Sequence, residues 1–207
     1  QRWRMARTRR SKRNEYRNND DGSIAVKATN NIAFFIDKED EERVKKYTWS
    51  VCTNKRGLQT VMNRQGLSLH QYRINSNREW ETDHIDRDRL NNRRSNLRRC
   101  THQQNQFNQG LQRNNTSGAI GVRFYPQRGK YVARIKYCGK DIHLGYYAER
   151  ESAMQARNAG AVFLFGEFAV QSDVPEASAV MKMHVVEKCE KALAIYGVMK
   201  KRIDNYG

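Results

Sequence analysis

Thr82-Asp83-His84-Ile85-Asp86, then Leu90-Asn91-Asn92-Arg93-Arg94-Ser95-Asn96-Leu97-Arg98-Arg99-Cys100, then Thr101-His102-Gln103-Gln104-Asn105, is the stretch that decides the fold. Thr82 to Asp86 reads as the end of a strand. The Arg- and Asn-rich run reads as a polar loop, Leu97 to Cys100 as a return strand, and Thr101 as the start of a helix through Asn108. Thr101 and Gln104 have capping-box spacing: the hydroxyl accepts from the third helical amide and the glutamine reaches back. On that helix His102 shares a face with Asn105, and Asn105 with Asn108. Strand, loop, strand and capped helix are a compact way to bring Asp83 and His84 against the first turn of a helix.

This residue set suits one chemistry. Hydrolysing a phosphodiester needs a base to activate water and a cation to stabilise the departing oxyanion. An imidazole beside a carboxylate supplies the first and half of the second. A hard cation such as Mg²⁺ takes oxygen ligands. The Asp83 carboxylate and the Asn105 amide oxygen would supply two, leaving room for phosphate oxygens and water. Asn96 would hold the His84 ring in the useful tautomer.

Asp83-His84, Asn96 and Asn105 within one short block resemble the HNH endonuclease motif, whose ββα-metal fold binds one divalent ion, Mg²⁺ or Mn²⁺. The wider run is similar to the phage and intron-homing branch of that family. That branch usually places a histidine on the preceding segment, and His70 in Leu67-Ser68-Leu69-His70 matches. The resemblance implies that His84 is the general base, that Asp83 and Asn105 are metal ligands and that Asn96 orients His84. It implies a structural or substrate-positioning role for His70, and ranks His102 below Asn105 as a further helix-face group. Arg93, Arg94, Arg98 and Arg99 would grip the nucleic-acid backbone. Retained activity is a separate matter, because such a fold can be kept for binding after catalysis is lost.

Upstream, Ile24-Ala25-Val26 and Ile32 to Ile36 read as strands joined at Asn30-Asn31. Asp37 to Tyr47 is acidic first and basic later, the order a helix favours, with Val44 and Tyr47 facing inward. Tyr47 to Val51 and Leu58 to Met62 form a further strand pair turning near Lys55-Arg56-Gly57, and Leu67 to Ile74 continues a segment of mainly short strands. The arm from Gln1 to Gly22 carries Arg2, Arg4, Arg7, Arg9, Arg10, Lys12, Arg13 and Arg17, has little apolar content and is expected to be disordered on its own. It also fits the remnant of an organelle-targeting peptide.

Downstream, the polar linker Asn114 to Gly118 precedes three strands, Gly121 to Tyr125, Lys130 to Tyr137 and Lys140 to Tyr147. Alternation in the middle strand puts Tyr131, Ala133, Ile135 and Tyr137 on one face and Val132, Arg134 and Lys136 on the other. A helix from about Glu149 to Phe165, stopped by Gly166, would cover the first face and leave the second free and basic. This stretch resembles the APETALA/ethylene-response-factor-like DNA-binding domain, which often follows an HNH module in homing endonucleases. At its contact positions stand Arg123, Tyr125, Arg128, Arg134, Lys136 and His143. Arg128 and His143 replace the usual Trp, Arg134 an often-present Glu and Asp141 an often-present Arg, so sequence preference does not transfer. Pro175 would open a last helix from Glu176 to about Arg202, with Val180, Met183, Val186, Cys189, Leu193 and Tyr196 at helical spacing. That helix reads first as packed on its own domain and second as a contact for another protein.

Composition agrees. The 207 residues hold 39 Lys+Arg against 22 Asp+Glu, a net charge of +17. So positive a chain calls for a polyanionic partner. The excess sits in the first arm, the central block and the third quarter. No apolar run is long enough for a transmembrane helix. Cys52, Cys100, Cys138 and Cys189 show no CxxC spacing, which argues against a zinc finger or a disulfide scaffold and for an intracellular setting.

The expected fold is therefore α+β: a ββα-metal HNH module with preceding short strands, a three-stranded antiparallel sheet packed on one helix, and a C-terminal helical extension. The segments are a basic arm at 1–22, a nuclease-like domain at 23–113, a nucleic-acid-binding domain at 114–170 and an extension at 171–207. The expected activity is divalent-metal-dependent cleavage of DNA of the homing type. The alternative is a non-catalytic structural protein of the same ancestry in a ribonucleoprotein such as an organellar ribosome, bound to ribosomal RNA, and mitochondrial if the arm is a processed presequence.

Overall fold

The computed structural model describes residues 13–74, 80–111, 115 and 117–197. The chain divides into two compact units, with the boundary between Thr101 and His102.

In the first unit, β1 (Glu15–Asn18), β2 (Ser23–Lys27) and β3 (Ala33–Asp37) form an antiparallel sheet in that order. Strand alternation sends Ile24 and Val26 of β2, with Phe34 and Ile36 of β3, into the core. Asn31 turns the hairpin with a positive φ of 66°, a conformation asparagine tolerates better than most residues. A short α1 (Glu41–Val44) leads to the hairpin of β4 (Trp49–Thr53) and β5 (Gln59–Asn63), and α2 (Leu69–Ile74) follows. Val44, Trp49, Val51, Val61 and Leu69 complete the core. Trp49 is fully buried, and its indole N–H donates to the Val44 carbonyl at 2.8 Å, so burial leaves no unpaired donor on the ring. The strand pair β6 (Glu81–His84) and β7 (Leu97–Cys100) closes the unit.

The differences from expectation have local causes. The start of the basic arm, residues 1–12, lies outside the described residues, but Glu15 to Asn18 is an ordered edge strand rather than a disordered tail. Asn14 anchors it: its amide oxygen accepts from the Trp49 amide at 2.7 Å and its nitrogen donates to the Trp49 carbonyl at 2.8 Å. The helix expected over Asp37 to Tyr47 shrinks to a 3₁₀ turn (Lys38–Asp40) plus α1. At the junction of the two, the buried Asp40 binds Arg73 and Arg94. The end of the Leu67 to Ile74 segment is helical rather than extended.

In the second unit, α3 (His102–Phe107) stacks its Phe107 ring on Phe165, 4.0 Å between centroids. Next come β8 (Val122–Tyr125), β9 (Lys130–Tyr137) and β10 (Lys140–Tyr147), an antiparallel sheet in the order β10-β9-β8. The second and third strands span the residues predicted for them, with a register shift between His143 and Gly145. The face of α4 (Arg150–Phe165) that packs on this sheet is lined by Ala153, Ala156, Ala161 and Leu164, all buried. Gly160 is the close-approach point: a Cβ there would lie 3.0 Å from Leu144 and 3.5 Å from Val185.

The last helix, α5 (Ala179–Ile195), starts later than Pro175 suggested, because Ser178 is its N-cap, its hydroxyl accepting from the Met181 amide. It packs on α4 and β10 of its own unit. Val185, Cys189 and Leu193 are its buried residues, whereas Val180 and Met183 are exposed. Cys189 and Leu193 of the expected stripe are thus buried, with Val185 in place of Val180 and Met183, and Lys188 Nζ ties the helix to the Leu144 carbonyl at 2.9 Å. Its expected final turns beyond Gly197 lie outside the described residues. Among the described residues no helix is long and apolar enough to cross a membrane.

Candidate active site

The strand pair β6–β7 sets Asp83 opposite Arg98 and His84 opposite Leu97. Asp83 and His84 are both buried. Arg98 spans the pair: its Nε and Nη2 donate to one Asp83 oxygen at 2.9 and 2.8 Å. The Asp83 side chain is only 6% exposed and that of Arg98 13%, so this pair is screened far less than a surface ion pair. Expected to grip a phosphate, Arg98 is engaged with Asp83, because the cross-strand register places the two side chains face to face.

His70 and Asn92 both lie against the His84 ring. His70, on α2, lies edge-to-face with centroids 5.3 Å apart. Asn92 Oδ1 lies 3.4 Å from His84 Nε2. The Asn92 amide cannot be turned the other way without loss, since its nitrogen donates to the Arg89 and Leu90 carbonyls at 3.2 Å each. Its oxygen therefore faces the ring, and Nε2 must carry the proton it shares. This tautomer leaves Nδ1 with the lone pair.

The loop that holds Asn92 is built by Asn96. Its nitrogen donates to Asp86 Oδ1 and to the Asn91 carbonyl, both at 2.8 Å, and its oxygen accepts from the Asp86 amide at 2.9 Å. Asp86 Oδ2 in turn accepts from Asn91 Nδ2 at 2.7 Å. Asn96 thus closes the β6–β7 connection, and Asn92 touches the ring in its place, because the Asn96 amide is spent on the loop. The adjacent asparagines at 91, 92 and 96 gave no sequence signal to say which one reaches His84.

Burial lowers the pKa of His84, with Arg89 acting the same way; the Asn92 hydrogen bond, Asp83 and Asp86 oppose it without reversing the shift. Burial likewise brings His70 down to about 4, aided by His84 and Arg89. A base must be neutral to accept a proton, so an imidazole held below its ordinary value suits that work near neutral pH. The Cys100 thiol is pushed up to about 12 by burial and by Asp83 and Glu81, so it stays protonated.

The remaining sequence candidates fall as follows. Arg93 pairs with Asp21 at 3.1 Å, Arg94 pairs with Asp40 at 3.0 Å with its side chain largely exposed, and Arg99 is exposed. His102 and Asn105 stand on α3, in the second unit, where His102 Nε2 lies 2.7 Å from Gln106 Nε2. The Asp83 carboxylate is a hard oxygen donor of the kind Mg²⁺ or Mn²⁺ takes, and among the described residues no group of three or more His, Cys, Asp or Glu side chains gathers to hold a metal ion.

On the second unit's sheet, Arg123, Arg134, Lys136 and His143 are exposed, as is Arg128 in the β8–β9 turn. Arg134 and His143 are cross-strand partners. Tyr146 is the hub of this face: Tyr125 lies 5.7 Å from it, His143 4.7 Å, and the Arg128 guanidinium sits 4.6 Å over its ring. Val132, expected to share the free face, is buried. Burial and the charges of Arg134, Lys188 and Arg128 lower the His143 pKa.

A family model described as HNH endonuclease matches residues 76–107. The chain is 31% identical over 146 residues to an uncharacterized HNH endonuclease of Acanthamoeba polyphaga mimivirus, a match covering 68% of this chain and 74% of the viral protein. No solved structure matches the chain.

Proposed function

This chain belongs to the HNH endonuclease family, and on that footing we propose that it is a divalent-cation-dependent endonuclease of the homing type that hydrolyses DNA phosphodiester bonds. The observation that carries this reading is His84: a buried imidazole with a lowered pKa, its Nε2 directed at Asn92, next to the buried carboxylate of Asp83.

In this reading His84 Nδ1 takes a proton from the attacking water. Asn92 keeps the ring in the tautomer that makes this possible and shares the charge the ring acquires. Asp83, paired with Arg98, would be one oxygen ligand of the cation, and the resemblance to the family motif implies Asn105 as another. When bound, Mg²⁺ or Mn²⁺ would supply charge stabilisation for the phosphate oxygens and the leaving 3′ oxygen. Arg94 and Arg99 contact the backbone, which makes affinity salt-dependent. The open sheet face, through Arg123, Arg134, Lys136 and His143 with Tyr125 and Arg128, holds duplex DNA, as its exposure and charge suit the major groove.

Incubation of supercoiled plasmid with the purified protein and Mg²⁺ or Mn²⁺ tests the reading. Nicked or linear product bearing 5′-phosphate ends, suppressed by EDTA, is expected. Intact plasmid under both cations, or cutting that persists in EDTA, would overturn it.

A further inference from the structure

A partly buried ionic cluster joins Arg73, Asp37, Asp40 and Arg94. The Arg73 side chain is only 2% exposed and donates to Asp37 Oδ2 at 2.8 Å, to Asp40 Oδ2 and to the backbone carbonyl of Asn92. Asp40, 3% exposed, also accepts from Arg94 Nε at 3.2 Å and Nη2 at 3.0 Å. Asp37 Oδ2 accepts from the Arg94 amide at 2.7 Å. The cluster joins three places in the first unit: α2, the end of β3 with its 3₁₀ turn, and the 92–94 segment.

Stability alone does not account for such a cluster. Taking ions out of water costs several kcal/mol each, and well-packed apolar side chains often serve as well. What it does is fix geometry, and Asn92 is where the fixing converges. The Asn92 amide donates to the Phe35 carbonyl at 2.8 Å, the Phe35 amide donates to the Leu90 carbonyl at 2.8 Å, and Arg73 holds the Asn92 carbonyl. The backbone of Asn92 is thus held from both sides, with its side-chain oxygen 3.4 Å from His84 Nε2. Helix α2 contributes twice, since His70 and Arg73 are three residues apart and share a face. One turn of helix sets His70 against the His84 ring and Arg73 against the loop that holds that ring.

We propose that Arg73 is a positioning residue for the reaction, fixing the orientation and tautomer of His84 through Asn92, with Asp37 and Asp40 holding its guanidinium in place. The proposal rests on His84 being the base. It assigns the N-terminal sheet a share in catalysis: β3 and its following turn are the anchor against which the imidazole is aimed. Lysine cannot replace the fork, because one ammonium cannot reproduce the planar set of donors that meets two carboxylates and a carbonyl together.

The test is Arg73→Lys, read in two ways. The tautomer of the neutral His84 ring, read from its nitrogen-15 NMR shifts, needs no cleavage: the parent should hold the Nε2-protonated form and the variant a mixture of both. In cleavage assays kcat should fall about 10- to 100-fold, the range seen when an orienting partner is lost, with KM for DNA nearly unchanged. In an Asn92→Ala background the same change should add little, because the link is already cut. Should the lysine variant not fold, Asp37→Asn keeps Arg73 and weakens one anchor, and the tautomer mixture should shift by less. A folded lysine variant whose His84 tautomer is that of the parent overturns the proposal. A parent chain that cuts no DNA overturns the nuclease reading instead, while the tautomer still decides this one.

Discussion

Asn92 Oδ1 stands 3.4 Å from His84 Nε2, with its amide nitrogen committed to the Arg89 and Leu90 carbonyls. In the proposed reaction that relationship gives the two ring nitrogens different jobs: Nε2 donates to Asn92, and Nδ1 would serve as the base. Replacing Asn92 with Ala removes the acceptor and should lower cleavage about 10- to 100-fold at fixed folding. Asn92→Asp should retain more activity than Ala, because a carboxylate still accepts from Nε2. Equal rates for Ala and parent in single-turnover assays would remove Asn92 from the site.

The lowered His84 pKa sets the direction of the pH dependence. His84 acts as a base only when neutral, so activity falls as the pH drops through its pKa. Burial places that fall below the ordinary histidine value of about 6.5. Single-turnover rates from pH 4 to 8 should show it; an acid limb centred above 6.5 would contradict the environment described.

His70 ties stability to pH. It titrates at about 4 in the folded chain and at about 6.5 when unfolded. The unfolded state takes up this proton first, so the stabilisation is complete above pH 6.5 and is lost as the pH falls from 6.5 toward 4. Melting temperatures of His70→Gln should depend less on pH across that window than those of the parent. Parallel curves would show that His70 is not buried as a neutral ring.

Arg98→Ala leaves the Asp83 carboxylate, 6% exposed, without the guanidinium that compensates it. A loss of about 3 kcal/mol is expected from breaking a buried pair, and urea unfolding measures it. Added Mg²⁺ should restore part of that loss by supplying positive charge at the same carboxylate. An Arg98→Ala variant as stable as the parent would mean that the pair is effectively solvated.

On the second unit's sheet, Arg134→Ala and Lys136→Ala should each weaken DNA binding and reduce the slope of log affinity against log salt by roughly 0.9 per lost phosphate contact. Fluorescence anisotropy at several salt concentrations reads both effects. Unchanged slopes in both variants would remove this face as a DNA surface.

Much of this molecule was legible where the signal is local. The β9 and β10 strands were readable because alternation and the Cys138-Gly139 turn are short-range features. The place of Asp83 and His84 at the end of a strand was readable because they precede an Arg/Asn-rich loop. Arg73 was not, since nothing near Tyr72-Arg73-Ile74 says that its partners will be Asp37 and Asp40, more than thirty residues away. Asn92 was passed over for Asn96 because asparagines of identical chemistry differ only in where the folded loop points them. On α5, Cys189 and Leu193 were legible, but Val185 escaped for a related reason: the exposed Val180 and Met183 match it in hydrophobicity, and only the packing of α4 and β10 decides between them.

His84→Ala, compared with the parent on supercoiled plasmid in Mg²⁺, tests the central claim most directly. Loss of a general base should slow nicking by roughly 10²- to 10⁴-fold, with circular dichroism and DNA affinity little changed. A His84→Ala protein that nicks DNA as fast as the parent would contradict the account.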